Sequence, residues 1–288
     1  MSDLQHGEFE LDGYLFSGST SAPLYVVGMG TGVAGTRTQD ADNPVGDGRV
    51  FGRDYLSGPT WAFDFRAGPG GVDAALTALA GVTKAWRSAP RDPGDESVLR
   101  YGVGDRTRRV YGRARQFSQD PNLLYALGYS MAVGEFDVAD HWHYADVAQQ
   151  LTATLIPGNA GGLVSPLVSP LTTVAGGQRQ GLVIVAGDAP APMEITFRGP
   201  VTNPKVSSTG WQVALNTTLA YDQSVTVDTR RGTVLRNDGA SLGGALSRHT
   251  YLPEARLPPG SREIVFTGTD VTGTASCTVA WRPTYYGF

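Results

Sequence analysis

A serine motif in the second half of the chain has the spacing of a catalytic element. Residues 239–243 read Gly-Ala-Ser-Leu-Gly, the Gly-x-Ser-x-Gly pattern of a hydrolase nucleophile elbow. That chemistry needs a strand before the serine, a helix after it, and acid and histidine partners downstream. His249 is close to Ser241, the remaining residues alternate as strands do, and Asn237-Asp238-Gly239 is a turn signal. The pattern favours a hairpin loop over a serine hydrolase.

Two further patterns suggest ligands. Residues 28–35, GMGTGVAG, follow an apolar run as a phosphate-binding loop does, but no helix pattern follows to offer its N-terminus to an anion. We therefore interpret them as a surface loop. Asp140, His141, His143 and Asp146 are side chains that suit zinc or manganese, with the two histidines spaced to share one strand face. Because aromatic residues are interleaved with them, we favour a strand end at a domain junction over a metal site.

A run of arginines is the third candidate. It comprises Arg100, Arg106, Arg108, Arg109, Arg113 and Arg115, interleaved with aromatic residues. Such interleaving is typical of nucleic-acid surfaces, yet acidic neighbours and a formal net charge of −4 favour protein contacts. Arginine forms bidentate ion pairs suited to interfaces, so we predict that Arg106, Arg108, Arg109, Arg113 and Arg115 contact another subunit or an adjoining protein.

The elements around these arginines are predicted to be mostly strands. Trp61, Phe63 and Phe65 alternate with polar residues as in a half-buried strand, and strand character returns over residues 99–117 and 123–138. Between the strand around Phe63 and the strand that begins at residue 99, the apolar residues of 71–86 have helical spacing. They are Val72, Leu76, Leu79 and Trp86. A β-rich first domain with one helix results.

The second half of the chain is predicted to be purely β. Between Asp146 and Gly187 the chain is rich in Gly, Pro, Ser, Thr and Ala, most clearly over residues 157–177, and has the composition of connecting loops, which places the domain boundary near Asp146. Short alternating strands then follow, as in a β-sandwich. We predict that residues 264–267 and a strand carrying Ala275, Cys277, Val279 and Trp281 on one face pair as a closing hairpin.

The composition bounds the class of protein. The 38 glycines and 18 prolines among 288 residues suit a protein with many turns, and the single cysteine excludes an intrachain disulfide or a cysteine-based zinc site. The first residues are acidic where a secretory signal is basic and apolar, and no run of about 20 apolar residues occurs. We expect neither secretion by that route nor a membrane span.

Several segments, in order, resemble the distal tail proteins of siphophages and related minor tail proteins of phages that infect actinobacteria. In the first half the resemblance rests on residues 56–67, 84–87, 99–117 and 136–146; in the second half it rests on residues 195–206, 218–239 and 257–288. The last of these, LPPGSREIVFTGTDVTGTASCTVAWRPTYYGF, is the strongest single signal. One departure is Asp140-His141-Trp142, where the family often has an Asp-Pro pair before the aromatic residue.

The resemblance implies a mainly β fold: an N-terminal β-sandwich with one α-helix (residues 1–145), which forms a ring facing the tail tube, and a C-terminal galectin-like β-sandwich (residues 146–288). It implies a structural virion protein at the tip of a long non-contractile tail, in a hexameric ring that joins the tube to the tail-tip hub or baseplate. Expected partners are the tail tube protein, a tail-associated hub protein and receptor-binding proteins, with assembly in the host cytoplasm. No enzymatic activity, cofactor, metal, membrane or specific nucleic acid is expected. The alternative is a carbohydrate-binding tail protein that contributes to host attachment, with Trp211 or Trp281 as the exposed aromatic residue.

Overall fold

The computed structural model describes residues 3–120, 129–155, 180–270 and 272–288. The chain forms two compact units, one of Met1–Asp146 together with Tyr285–Phe288, the other of Val147–Thr284. The last four residues, which the sequence assigned to the second domain, are thus part of the first unit. The strand character predicted for residues 123–127 and residues 157–177 of the predicted connecting loop lie outside the described residues. The loop prediction is wrong for Gln149–Thr154 and Gln180–Val185, which form strands because they pair with partners distant in sequence.

The first unit is built from strands and one helix. Its elements are β1 (Glu8–Leu11), β2 (Tyr14–Ser17), β3 (Leu24–Gly30), β4 (Thr36–Arg37), β5 (Ala41–Asp42), β6 (Arg49–Val50), β7 (Tyr55–Leu56), β8 (Thr60–Ala67), α1 (Val72–Arg87), β9 (Ser97–Val103), β10 (Arg106–Asp120), β11 (Ser130–Val138) and β12 (His143–Ala145). A single nine-stranded sheet runs in the order β11-β8-β3-β2-β1-β9-β10-β12 and ends on β24 (Thr284–Tyr285). Because β10 also pairs with β11, this sheet closes on itself.

The core of the first unit lies between the inner face of this sheet and α1. Strand β8 alternates strictly between exposed and buried residues, as its sequence predicted, and Trp61, Phe63 and Phe65 point inward. The helix begins after Gly71 and buries Ala75, Leu79, Val82 and Trp86. The predicted helix is therefore present, but Val72 and Leu76, which were expected on its inner face, are each 45% exposed.

The second unit is a two-sheet β structure. Its strands are β13 (Gln149–Thr154), β14 (Gln180–Val185), β15 (Ala191–Arg198), β16 (Val201–Ser208), β17 (Trp211–Ala214), β18 (Thr218–Leu219), β19 (Ser224–Asp228), β20 (Thr233–Arg236), β21 (Arg256–Leu257), β22 (Gly260–Thr269) and β23 (Ser276–Trp281). One sheet has the order β13-β23-β15-β19-β20 and the other β14-β22-β16-β17. Apolar side chains from both sheets form one continuous core.

The predicted closing hairpin is wrong. Strands β22 and β23 belong to different sheets, and the chain crosses the sandwich between them. Asp270 stabilises this connection, because its carboxylate accepts hydrogen bonds from the backbone N–H groups of Thr272 (2.7 Å) and Ala275 (2.8 Å). One face of β23 and the preceding Ala275 are buried as expected, with Cys277, Val279 and Trp281 pointing inward. Burial of that face does not show which strand lies alongside, because a hairpin partner of β22 and a strand of the opposite sheet would both point these residues into the core.

The predicted fold class, mainly β with one helix, is confirmed. The galectin-like character of the second unit stays a prediction. In the part of the chain that the structure covers, no helix is long and apolar enough to cross a membrane.

Candidate functional site

The arginine-bearing strand β10 lies between two partners over its first half. Residues Arg106 to Gly112 pair with β9, and Arg108 and Arg109 also lie opposite β12. This central position in the sheet buries Arg108 and Arg109, which are 5% and 9% exposed, and Arg100 on β9 is 2% exposed. Charged groups at such depth need partners close by.

A buried ionic network joins β1, β9 and β10 around Asp146. The Arg100 guanidinium donates to both Asp146 carboxylate oxygens (2.9 and 2.7 Å) and to Glu10 Oε2 (2.7 Å). Arg109 donates Nε to Asp146 Oδ1 (3.0 Å), and its Nη2 bonds the same carboxylate and the Asp146 carbonyl. Burial raises the pKa of Asp146, but the hydrogen bonds from Arg100 and Arg109 outweigh it and the net pKa is lowered. Asp146 is therefore held as a carboxylate where the first unit ends.

Arg108 has an aromatic and a carbonyl partner. Its guanidinium carbon lies 3.8 Å from the centroid of the Tyr285 ring, and Nη1 donates to the carbonyl oxygen of Gly287. Close by, the Tyr101 hydroxyl hydrogen bonds to Nδ1 of His143. Burial, followed by the charges of Arg108 and His141, lowers the pKa of His143 to about 4, so its ring is neutral near pH 7 and can accept this bond.

The remaining three arginines lie nearer the surface. Arg113 fastens the loop after α1, because its guanidinium donates to the backbone carbonyls of Arg91, Asp92 and Asp95. Arg115 is exposed and pairs with Asp137 at 2.9 Å. Arg106, with 70% of its side chain exposed, has a 3.7 Å contact with the neighbouring Asp105.

The five predicted interface arginines therefore do not share one environment. Arg108 and Arg109 are buried in their own unit and Arg113 is bound by backbone carbonyls of that unit, whereas Arg106 and Arg115 present their side chains to solvent. A contact between subunits through these residues stays a prediction, and the structure leaves Arg106 and Arg115 as the two available to make it. A cavity of about 440 Å³ beside Arg113 is lined by guanidinium groups and carboxylates, with no serine or cysteine among its lining residues.

The serine motif and the glycine-rich loop lack the elements that their chemistry requires. Ser241 follows a turn in which Arg236 and Asp238 are ion-paired, and the next helical residues are one three-residue 3-10 turn. This context is the predicted hairpin loop and not a nucleophile elbow. Strand β3 ends at Gly30, and no α-helix follows before β8.

Three of the four candidate metal ligands, Asp140, His143 and Asp146, have different partners. Asp146 binds the arginines, and His143 packs against Trp61. Asp140 accepts hydrogen bonds from the Trp142 N–H and the Tyr144 hydroxyl. Within the described ranges, no three His, Cys, Asp or Glu side chains come together as a metal site.

Sequence reasoning missed an extended arm between β3 and β8. We define the arm as residues 31–59; its paired strands are β4 with β7 and β5 with β6, and it contains no buried residue. Arg37 and Arg53 lie over the ring of Tyr55, at 5.0 and 5.5 Å from its centroid. Its large apolar side chains are exposed: Val33 93%, Val45 94%, Val50 56%, Phe51 81% and Leu56 50%.

Solved structures of similar fold come from phage tails. The Dit protein of phage SPP1, described as a paradigm of the hub adsorption apparatus in phages that infect Gram-positive bacteria, matches with a TM-score of 0.58 and 13% identity, over 96% of this chain and 98% of that one. Chains of the phage p2 baseplate in its activated conformation, with Ca and with Sr, match with TM-scores of 0.51 and identities of 8% and 9%, over 95% of this chain and 97% of theirs. In fold, the chain is similar to these hub and baseplate proteins.

The family comparison agrees with this class. Residues 186–285 match the family model of the siphovirus-type tail component, C-terminal domain, so this part of the chain is similar to that domain. The resemblance to siphophage distal tail proteins predicted from the sequence is confirmed. No curated protein sequence matches the chain.

Proposed function

We propose that this chain is a non-enzymatic structural protein of the siphophage tail tip. Its first unit would form a hexameric ring that joins the tail tube protein to the tail-associated hub protein, with receptor-binding proteins as further partners. The ring would assemble in the host cytoplasm and remain in the virion. The similarity in fold to a hub protein and to baseplate chains supports a location at the tail tip. The arm supports the proposal that copies of the chain form a ring.

The arm carries the proposal because its own chain buries none of its residues. Ordering 29 residues costs on the order of 1–2 kcal/mol each in backbone entropy, and an isolated two-stranded ribbon is marginal in water. No side chain of the arm is buried, so burial within the unit does not offset that cost. Exposed apolar side chains such as Val45 and Phe51 mark contacts with another protein chain.

A second copy of the chain is the partner that a ring requires. In a closed ring each subunit presents one surface to the neighbour on one side and a different surface to the neighbour on the other. An arm that leaves the sheet between β3 and β8 fits such a head-to-tail contact, because it can lie on the next copy while its own unit receives the arm of the previous one.

The test is ring formation by the purified chain, alone and with the tail tube protein, measured by light scattering and negative-stain electron microscopy. We expect Val45→Ser with Phe51→Ser to abolish rings, and the control Tyr221→Ser, at a side chain 73% exposed on the second unit, to leave them intact. Rings held by apolar burial should persist at about 1 M salt, where the screening length is about 3 Å. Failure of the wild-type chain to form rings under either condition would refute the proposal.

The predicted arginine contacts are tested in the same assay. Charge reversal at Arg106 and Arg115 should leave the fold intact, because both side chains are exposed. Loss of rings in that variant, with unchanged circular dichroism, would support their role in the interface. Rings of wild-type stability would show that the arm acts without them.

The carbohydrate-binding alternative gains no support from its two candidate residues. Trp211 and Trp281 are 8% and 4% exposed and belong to the core of the second unit. A sugar stacks on an exposed aromatic face, which neither residue offers.

A further inference from the structure

Residues Tyr285–Phe288, here called the return segment, lie in the first unit although the whole second unit separates them from Asp146 in the sequence. Their contacts in the first unit define what they do.

The return segment covers a cleft of aromatic side chains. We define the aromatic cleft by Trp61, Tyr101, Arg108 and His143. The ring centroid of Phe288 lies 5.8 Å from that of Trp61, 5.4 Å from that of Tyr101 and 5.0 Å from that of His143. The three cleft rings also contact one another at centroid distances of 5.4 to 6.0 Å. Such edge and tilted contacts are the favoured geometries for aromatic pairs.

Arg108 holds the segment by its backbone and by one ring. Its guanidinium stacks on Tyr285 and donates to the carbonyl of Gly287, so one side chain contacts two of the four residues. Cation–π stacking is strongest where water is excluded, and Arg108 is 5% exposed. Without the segment, this buried guanidinium would lose both contacts, which makes an empty cleft unfavourable.

Phe288 nevertheless remains partly open to solvent. It is 51% exposed, and the neighbouring Tyr286, 63% exposed, contacts Trp142 at 5.0 Å, outside the cleft. The segment thus rests on side chains of the first unit as a bound peptide does, with Phe288 on the aromatic rings, Tyr285 on Arg108 and the Gly287 carbonyl fixing the register.

We propose that the aromatic cleft is a peptide-binding site for segments of the form Tyr-x-x-Phe, and that the return segment is its occupant in this chain. Recognition depends on side chains and one carbonyl, so the same residues supplied as a separate peptide bind the cleft when the chain's own segment is weakened. This inference concerns a site within the first unit and does not depend on ring formation.

The experiment measures binding of a fluorescein-labelled peptide of residues 284–288 to full-length protein by fluorescence anisotropy. Phe288→Ala weakens binding of the return segment to the aromatic cleft, so the cleft is empty in a larger fraction of the molecules. Because the apparent affinity is proportional to that fraction, we expect the peptide to bind this variant about tenfold more tightly than the wild type. Adding Arg108→Met should remove that binding. Tyr286→Ala, whose side chain lies outside the cleft, should behave as the wild type.

Equal affinity for the wild type, Phe288→Ala and the double variant would overturn the proposal, as would no binding to folded Phe288→Ala. If Phe288→Ala does not fold alone, its thermal unfolding is measured with excess peptide. Recovery of a cooperative transition supports the cleft as a peptide-binding site, and the absence of such a transition overturns the proposal.

Discussion

Mild acid should destabilise the first unit through His143. Its imidazole is packed among Trp61, Tyr101 and Phe288, and burial with the nearby Arg108 charge lowers its pKa from 6.5 to about 4. Because the folded-state pKa is lower than the unfolded one, the unfolded chain binds the proton more readily. The contribution to stability is therefore complete above about pH 6.5 and is lost as the pH falls towards 4.

The magnitude follows from the size of the shift. One pKa unit corresponds to about 1.4 kcal/mol, which bounds the loss at about 3 kcal/mol. The ring is only partly buried and solvent screens it, so we expect about 1 kcal/mol between pH 7.5 and pH 5. With an ordinary urea dependence this lowers the unfolding midpoint by about 0.5 M. Asp146 does not contribute in this window, because its lowered pKa gives stability that is lost only below about pH 4.

Urea unfolding followed by tryptophan fluorescence at pH 7.5 and pH 5 measures the effect. His143→Gln keeps an acceptor for the Tyr101 hydroxyl but does not titrate, so most of the midpoint shift should disappear. Both proteins have the same second unit, so the difference between them reports on the first. His249→Gln, which removes an exposed imidazole from the second unit, should keep the wild-type shift. An equal loss of stability in wild type and His143→Gln would refute the reasoning.

Two further substitutions test the core and the buried ionic network. A Cβ atom at Gly134 would lie 2.8 Å from the buried Trp86 ring, so Gly134→Ala should lower the free energy of unfolding by about 1–3 kcal/mol, whereas Gly30→Ala, with open space around it, should change it little. Wild-type stability of Gly134→Ala in thermal melts would contradict the described packing. Asp146→Asn should cost about 2–4 kcal/mol, because it removes the charge shared by two buried arginines, while Asp238→Asn at a surface ion pair should leave the midpoint unchanged. Equal effects of these two variants in urea titrations would show that Asp146 is not buried among its partners.

Local periodicity predicted the elements whose burial follows a simple repeat. The alternation around Trp61 predicted the inward face of β8, because in a strand neighbouring positions differ in burial. The helix was also predicted within one residue at each end, Val72 to Arg87 against 71–86. Its buried face was only partly correct, since Ala75 carries a weak apolar signal and yet lies inside.

Pairing partners could not be predicted, because they depend on contacts distant in sequence. Asp146 and Gly287 accept from arginines of β9 and β10, and nothing in the local pattern marks either as a partner. Backbone carbonyls such as those around Arg113 have no sequence signature at all. The assignment of β22 and β23 to opposite sheets is a similar case, because alternation shows which face is inward but not which strand lies alongside.

The placement of the arginines changes the physical basis of the proposed assembly. An arginine-rich strand on the surface would favour a ring held by ion pairs, which salt weakens. In the structure, Arg108, Arg109 and Arg113 instead satisfy groups within their own unit. Among the exposed groups left for a partner are the apolar side chains of the arm, whose burial would gain free energy by excluding water. Charge therefore orders the inside of the first unit, and apolar burial is the force expected to join its copies.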